Sequence, residues 1–306
     1  MSEFKLTKET TPLVETQRLT KQFDRHIAVN DLDLQIGAGE VYGLIGPNGA
    51  GKTTLIRMLA AAEEPTTGEI YINGDRLLRD NSNPHIKQKI GYLPDDFPLY
   101  DDLTVWDYLD YFARLYRLQG SHRRRRIYEV LDLVQLGNKR YSSITTLSRG
   151  MKQRLSLART IIHEPILLLL DEPVSGLDPI ARMQFREIIK ILQAAGMTVL
   201  ISSHVLSDLA ELCTSIGIME LGFLVESTSL AQLYERLSHQ QIILATLGNL
   251  DILEKELQNC PLVEGWEKLP EGKIRLDFTG GEAESAELLK ALITADIPLT
   301  EFHCTR

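Results

Sequence analysis

The chain has 306 residues, more than one compact domain ordinarily holds and comfortable for two, so a boundary is expected within it. Apolar residues make up 43% and charged residues 25%, which argues against a largely disordered or fibrous chain. A net charge of -9 and a pI near 5.4 repel a phosphate backbone over long range and disfavour broad nucleic-acid binding.

Residues 1–15 mix Glu3, Lys5, Lys8 and Glu9 without an apolar core, so they do not read as a secretory signal. Strand-like segments follow at 13–19, 27–34 and 40–45, the last ending in a glycine-rich turn, and a helix is expected over 52–61. Further strands lie near Ile70 and Ile90. A helix over 103–117 places Trp106, Leu109, Phe112, Ala113 and Tyr116 on one face. The basic run Arg123-Arg124-Arg125-Arg126 leads into Ile127, Val130, Leu131 and Val134 at helical spacing, which reads as a solvated helix face. Apolar strands at 166–170 and 197–201 flank a helix over 179–195, a βαβ unit with buried parallel strands. Short strands at 216–219 and 223–225 close a first domain, placed at 1–228 with a helical section at about 96–160.

A second domain is placed at 229–306. A short helix at 230–237 leads into strand 242–247, helix 250–258, strands 263–269 and 273–278, helix 283–295 and strand 299–304; this βαββαβ order is that of a ferredoxin-like α+β domain. The densest apolar run, 166–170, is far short of the roughly 18 residues of a membrane helix. Cys213, Cys260 and Cys304 are odd in number and scattered, which suits a reducing compartment and gives no disulfide framework.

The segment Gly46-Pro47-Asn48-Gly49-Ala50-Gly51-Lys52-Thr53-Thr54 has the spacing of a phosphate-binding loop between a strand and a helix. Phosphate oxygens need many short donors, which glycines supply by letting backbone N–H groups curl around them at a helix N-terminus. Lys52 is expected between the β- and γ-phosphates and the Thr53 hydroxyl on Mg²⁺. The strand before Asp171-Glu172-Pro173 ends in two acids where such a fold needs a metal ligand. Asp171 is therefore assigned to Mg²⁺, and Glu172 to accepting a proton from the attacking water. Ser202-Ser203-His204 ends the next buried strand, and His204 can hold the water and Glu172 in line.

Leu147-Ser148-Arg149-Gly150-Met151-Lys152-Gln153-Arg154 resembles the signature motif of ATP-binding-cassette (ABC) ATPases, Ser175-Gly176-Leu177-Asp178 resembles their D-loop, and His204 falls at their switch histidine. The resemblance covers about the first 225 residues. It implies a P-loop NTPase cassette with a RecA-like core, an antiparallel β subdomain and an inserted helical subdomain, here followed by the ferredoxin-like domain. It also implies that Ser148 and Gly150 contact the γ-phosphate of ATP held by a second cassette, in a homodimer or heterodimer. Phe23 stands where an aromatic ring stacks on adenine, and Asp178 where the two sites are linked.

Three positions depart from the commonest pattern: Arg149 replaces a glycine, Met151 a glutamine, and Asp95, in Gly91-Tyr92-Leu93-Pro94-Asp95, the Q-loop glutamine. Asp95 remains a candidate oxygen ligand for Mg²⁺. These departures are similar to those of the ABC-2 type branch, which serves exporters. The expectation is an ATP- and Mg²⁺-dependent ATPase on the cytoplasmic face of a membrane, driving a separate integral-membrane permease with no nucleic-acid partner. The alternative is a non-transport ABC ATPase remodelling a protein or nucleic acid; such proteins commonly carry two cassettes or a long coiled-coil insertion, and neither is visible in this sequence.

Overall fold

The computed structural model describes residues 12–78, 84–96, 99–233, 240–247, 250–258, 260–269 and 273–305. The first eleven residues and much of the 230–237 helix expected from the sequence lie outside them. The chain divides into two compact units, Met1–Leu230 and Ala231–Arg306.

In the first unit, strand alternation sets the layers. Strands β1 (Val14–Phe23) and β2 (His26–Ile36) pair antiparallel and turn Val14, Thr16 and Leu19 inward against Leu32, Leu34 and Ile36. The one polar member of this row is satisfied: the Thr16 hydroxyl donates to Leu32 O and accepts from Leu34 N, both at 2.9 Å. With β4 (Thr67–Ile72) and β5 (Asp75–Arg76) these strands form a sheet in the order β2-β1-β4-β5.

The second sheet runs β10 (Phe223–Ser229), β9 (Ser215–Glu220), β3 (Val41–Ile45), β8 (Thr198–Ser203), β7 (Leu167–Leu170) and β6 (Ile90–Leu93). All its neighbours pair parallel except the β10 edge. All four leucines of β7 are fully buried, Leu168 and Leu170 in one apolar cluster and Leu167 and Leu169 in another. A continuous apolar run is therefore required, because this sheet is covered on both faces. One face packs against α1 (Lys52–Leu59) and the antiparallel sheet. The other packs against α3 (Val105–Leu115), α4 (Gly120–Leu133), α5 (Arg149–Ile161) and α6 (Pro179–Ala194). Two short helices, α2 (Pro84–Lys87) and α7 (Leu206–Leu209), complete the unit.

Two local readings change. On α3 the buried face includes Tyr108, while Tyr116 is 40% exposed and stacks on His163. The four arginines of α4 are not a uniformly solvated face: Arg126 donates to Ile161 O and Ile162 O at the end of α5, and Arg123 pairs with Asp110 at 2.8 Å. Arg126 thereby satisfies carbonyls that the end of a helix leaves open.

The second unit holds β11 (Gln240–Thr246), α8 (Leu250–Gln258), β12 (Val263–Leu269), β13 (Lys273–Phe278), α9 (Glu282–Thr294) and β14 (Leu299–Thr305). Its sheet is antiparallel in the order β12-β13-β11-β14, the split arrangement of a ferredoxin-like fold, around Ile242, Leu244, Ile274, Leu276 and Phe278. Among the described residues no helix is long and apolar enough to cross a membrane.

Candidate active site

Parallel strands bring their carboxyl ends to one edge, where ligands of such sheets bind. Here β3 ends beside Gly46, β7 beside Asp171, β8 beside His204 and β6 beside Pro94 and Asp95. The loop after β3 needs glycine for two reasons of space. A Cβ on Gly46 would lie 2.3 Å from Met219 O, and one on Gly51, whose φ is +103°, 2.2 Å from Ala28 O. The first hydrogen bond of α1 runs from Leu55 N to Gly51 O at 2.9 Å. The N–H groups of Lys52, Thr53 and Thr54 precede it and stand at the positive end of the helix.

Lys52 is only 5% exposed; its ammonium donates to Gly46 O at 2.7 Å and Pro47 O at 3.2 Å, and lies 3.5 Å from Glu172 Oε1. Glu172 occupies the left-handed region at φ +46°, a costly conformation for a side-chain-bearing residue. Ser202 of β8 supports it: its hydroxyl accepts from Glu172 N at 3.0 Å and donates to Asp171 Oδ1 at 2.8 Å. The other Glu172 oxygen, Oε2, is 2.8 Å from His204 Nδ1. One carboxylate is thus bracketed by the lysine and the histidine.

Asp171 is 1% exposed, and its Oδ2 is buried without a hydrogen-bond partner, although the Thr53 hydroxyl lies close enough to favour the charged form. Burial pushes this carboxyl above the ordinary range and the Glu172 charge adds to the effect; Ser202, Thr53 and Lys52 oppose it. An unpartnered buried carboxylate oxygen beside a hydroxyl is a hard-oxygen donor set, and it fits Mg²⁺. Asp95 lines the same cleft and is also pushed upward, first by partial burial and then by the charges of Asp171 and Glu172.

The cleft measures about 340 Å³ and runs from Glu172 and Asp95 past Asn48, Gly49, Ala50, Gly51, Lys52, Thr53 and Thr54 to Phe23. Phe23 is 43% exposed on its rim, with Lys21 Nζ 4.7 Å from the ring centroid, so it is not a core residue. His26 and Ala28 of β2 also line the cleft. Sequence reasoning missed both, since nothing in β2 marks them before the strand is laid beside the loop. It missed Ser202 as well, for which the polar end Ser202-Ser203-His204 of an apolar strand was a usable signal.

Ser148 and Gly150 do not line this cleft. Ser148 is exposed and caps α5, accepting from Met151 N at 3.3 Å. Gly150 is buried, and a Cβ there would lie 2.6 Å from Ala181 Cβ, so it permits α5 to approach α6. Asp178 caps α6 through Ala181 N at 2.9 Å.

A family model described as "ABC transporter" matches residues 29–175. An uncharacterized ABC transporter ATP-binding protein, YcbN of Bacillus subtilis (strain 168), is 36% identical over 96% of this chain and 93% of its own. The Nod factor export ATP-binding protein I of Cupriavidus pinatubonensis is 35% identical over 69% of this chain and 65% of its own. Among solved structures, an ATP-binding cassette described as a dimer in a post-hydrolysis state bound to ADP and phosphate superposes with a TM-score of 0.63. It is 26% identical, with 71% of this chain and 98% of that one covered.

Proposed function

The chain belongs to the family of ABC transporter ATP-binding proteins, and we propose that it hydrolyses Mg-ATP between two cassettes to drive export through a separate membrane permease. The observation that carries the catalytic part is the bracketing of Glu172 by Lys52 at 3.5 Å and His204 at 2.8 Å, at the mouth of a glycine-lined loop.

In this reading the N–H groups at the start of α1 and the Lys52 ammonium take the phosphate tail. Glu172 accepts the proton of the attacking water, and His204, bonded to its second oxygen, fixes the carboxylate and the water in line. Thr53 and Asp171 would hold Mg²⁺, with Asp95 beside them, and the ion would supply positive charge against the phosphate tail. Phe23 on the rim offers its ring to the base. Ser148, exposed at the N-terminus of α5 and outside its own chain's cleft, faces the triphosphate of the second cassette. The dimeric state of the structural relative supports this pairing.

Export rather than import is supported by Arg149, Met151 and Asp95, and by the exporter named among the relatives. The protein then sits peripherally on the cytoplasmic face of its membrane. Replacing Glu172 with Gln is expected to reduce the ATP turnover of purified chain by about 10² or more with ATP binding kept; turnover at the wild-type rate would mean that another group is the base.

A further inference from the structure

Two of the three departures from the family pattern, Arg149 and Asp95, line one cleft. This second cleft of about 340 Å³ is lined by Asp95, Asp96, Asp101, Arg149, Lys152 and Glu172. Lys152 Nζ reaches Asp101 Oδ1 at 3.8 Å. Arg149 turns to the 175–178 turn of its own chain: Nη2 donates to Ser175 O at 3.0 Å. Its guanidinium covers Gly176, where φ is +65° and a Cβ would lie 2.6 Å from both Nη1 and Nη2.

We propose that Arg149 is a positioning residue that anchors the 175–178 turn, and that Asp95 balances its charge across the cleft, keeping the guanidinium off Glu172. The two positions then work as one unit. The argument rests on the assignment of Glu172 as the base. A guanidinium and a carboxylate in one cleft form a strong bidentate pair when nothing else holds them. A Glu172 so paired would be drawn away from His204, its partner at 2.8 Å. In the observed arrangement the guanidinium is held by the Ser175 carbonyl instead.

Each single loss is then harmful for a different reason. Without Arg149 the turn that follows Glu172 loses its anchor, and Asp95, Asp96, Asp171 and Glu172 repel one another with less compensation. Without Asp95 the cation is free to swing to Glu172. Once Arg149 is gone, removing Asp95 as well adds no further harm, because no cation is left to swing.

The test is a double-mutant cycle on purified full-length chain, with D95Q, R149G and D95Q/R149G compared with wild type in steady-state ATP hydrolysis. Each single substitution is expected to lower kcat about tenfold with KM for ATP within about twofold, and the double to stay within about threefold of R149G alone. Losses that multiply in the double would overturn the coupling, and would also be the result if Asp95 served chiefly as a metal ligand. A KM that rises with R149G would overturn the positioning role, since it would place Arg149 on nucleotide. An E172Q control separates the two failures: if it hydrolyses at the wild-type rate, the base assignment is at fault and not the pair.

Discussion

Ser202 is the residue on which the two acids depend. Its hydroxyl bonds the Glu172 amide and the Asp171 carboxylate together, and so holds a glutamate at positive φ beside a buried aspartate. Ser202→Ala is expected to lower kcat about tenfold while leaving KM within about twofold, because it moves Glu172, the proposed base, and not the phosphate loop; steady-state kinetics decide this. Asp171 makes the opposite trade. Burial raises its carboxyl above the unfolded value, so the folded state binds the extra proton and stability falls as pH rises through that window. Asp171→Asn should therefore raise the melting temperature of ligand-free chain at pH 7 by on the order of 2 °C while abolishing Mg-dependent turnover. The thermal gain should vanish well below pH 3.8, where aspartate is protonated in both states; calorimetry across this range checks the sign.

At the scale of elements, the contact of α5 with α6 explains a motif glycine without any nucleotide. Gly150 faces Ala181 too closely for a side chain, and Gly150→Val should overpack this crossing and cost about 2 kcal/mol in denaturant unfolding. The β7 strand offers a comparison: Leu169 is fully buried, and Leu169→Ala should cost about 3 kcal/mol. These elements were largely legible in the sequence. The four leucines ending in Asp171-Glu172, the loop from Gly46 to Thr53 and the strand before His204 are local patterns whose strand-turn-helix context is itself local. The Ser202 bridge was not legible, because it depends on how β7 and β8 lie side by side. Nor was the contact of Arg149 with Gly176, which depends on where a long side chain turns. Tyr108 went unrecognised on the buried face of α3 because its hydroxyl suggests solvent, whereas its ring is enclosed with Phe112 at 4.9 Å.

For the molecule as a whole, every candidate catalytic and binding residue lies in Met1–Leu230, and the apolar cluster of Ala231–Arg306 shares no residue with the two clusters of the first unit. Chain truncated after residue 230 is therefore expected to fold and to keep basal ATP hydrolysis within about threefold of full length, a result read by circular dichroism and turnover together. In the proposed pairing one chain holds only part of a working site, since Ser148 lies outside the cleft that contains Lys52 and Glu172. Light scattering of E172Q chain at saturating Mg-ATP tests it most directly. A rise from the 34.5 kDa of one chain to twice that mass, reversed when ATP is withdrawn, is the predicted result; a mass that stays at one chain with and without ATP would contradict it.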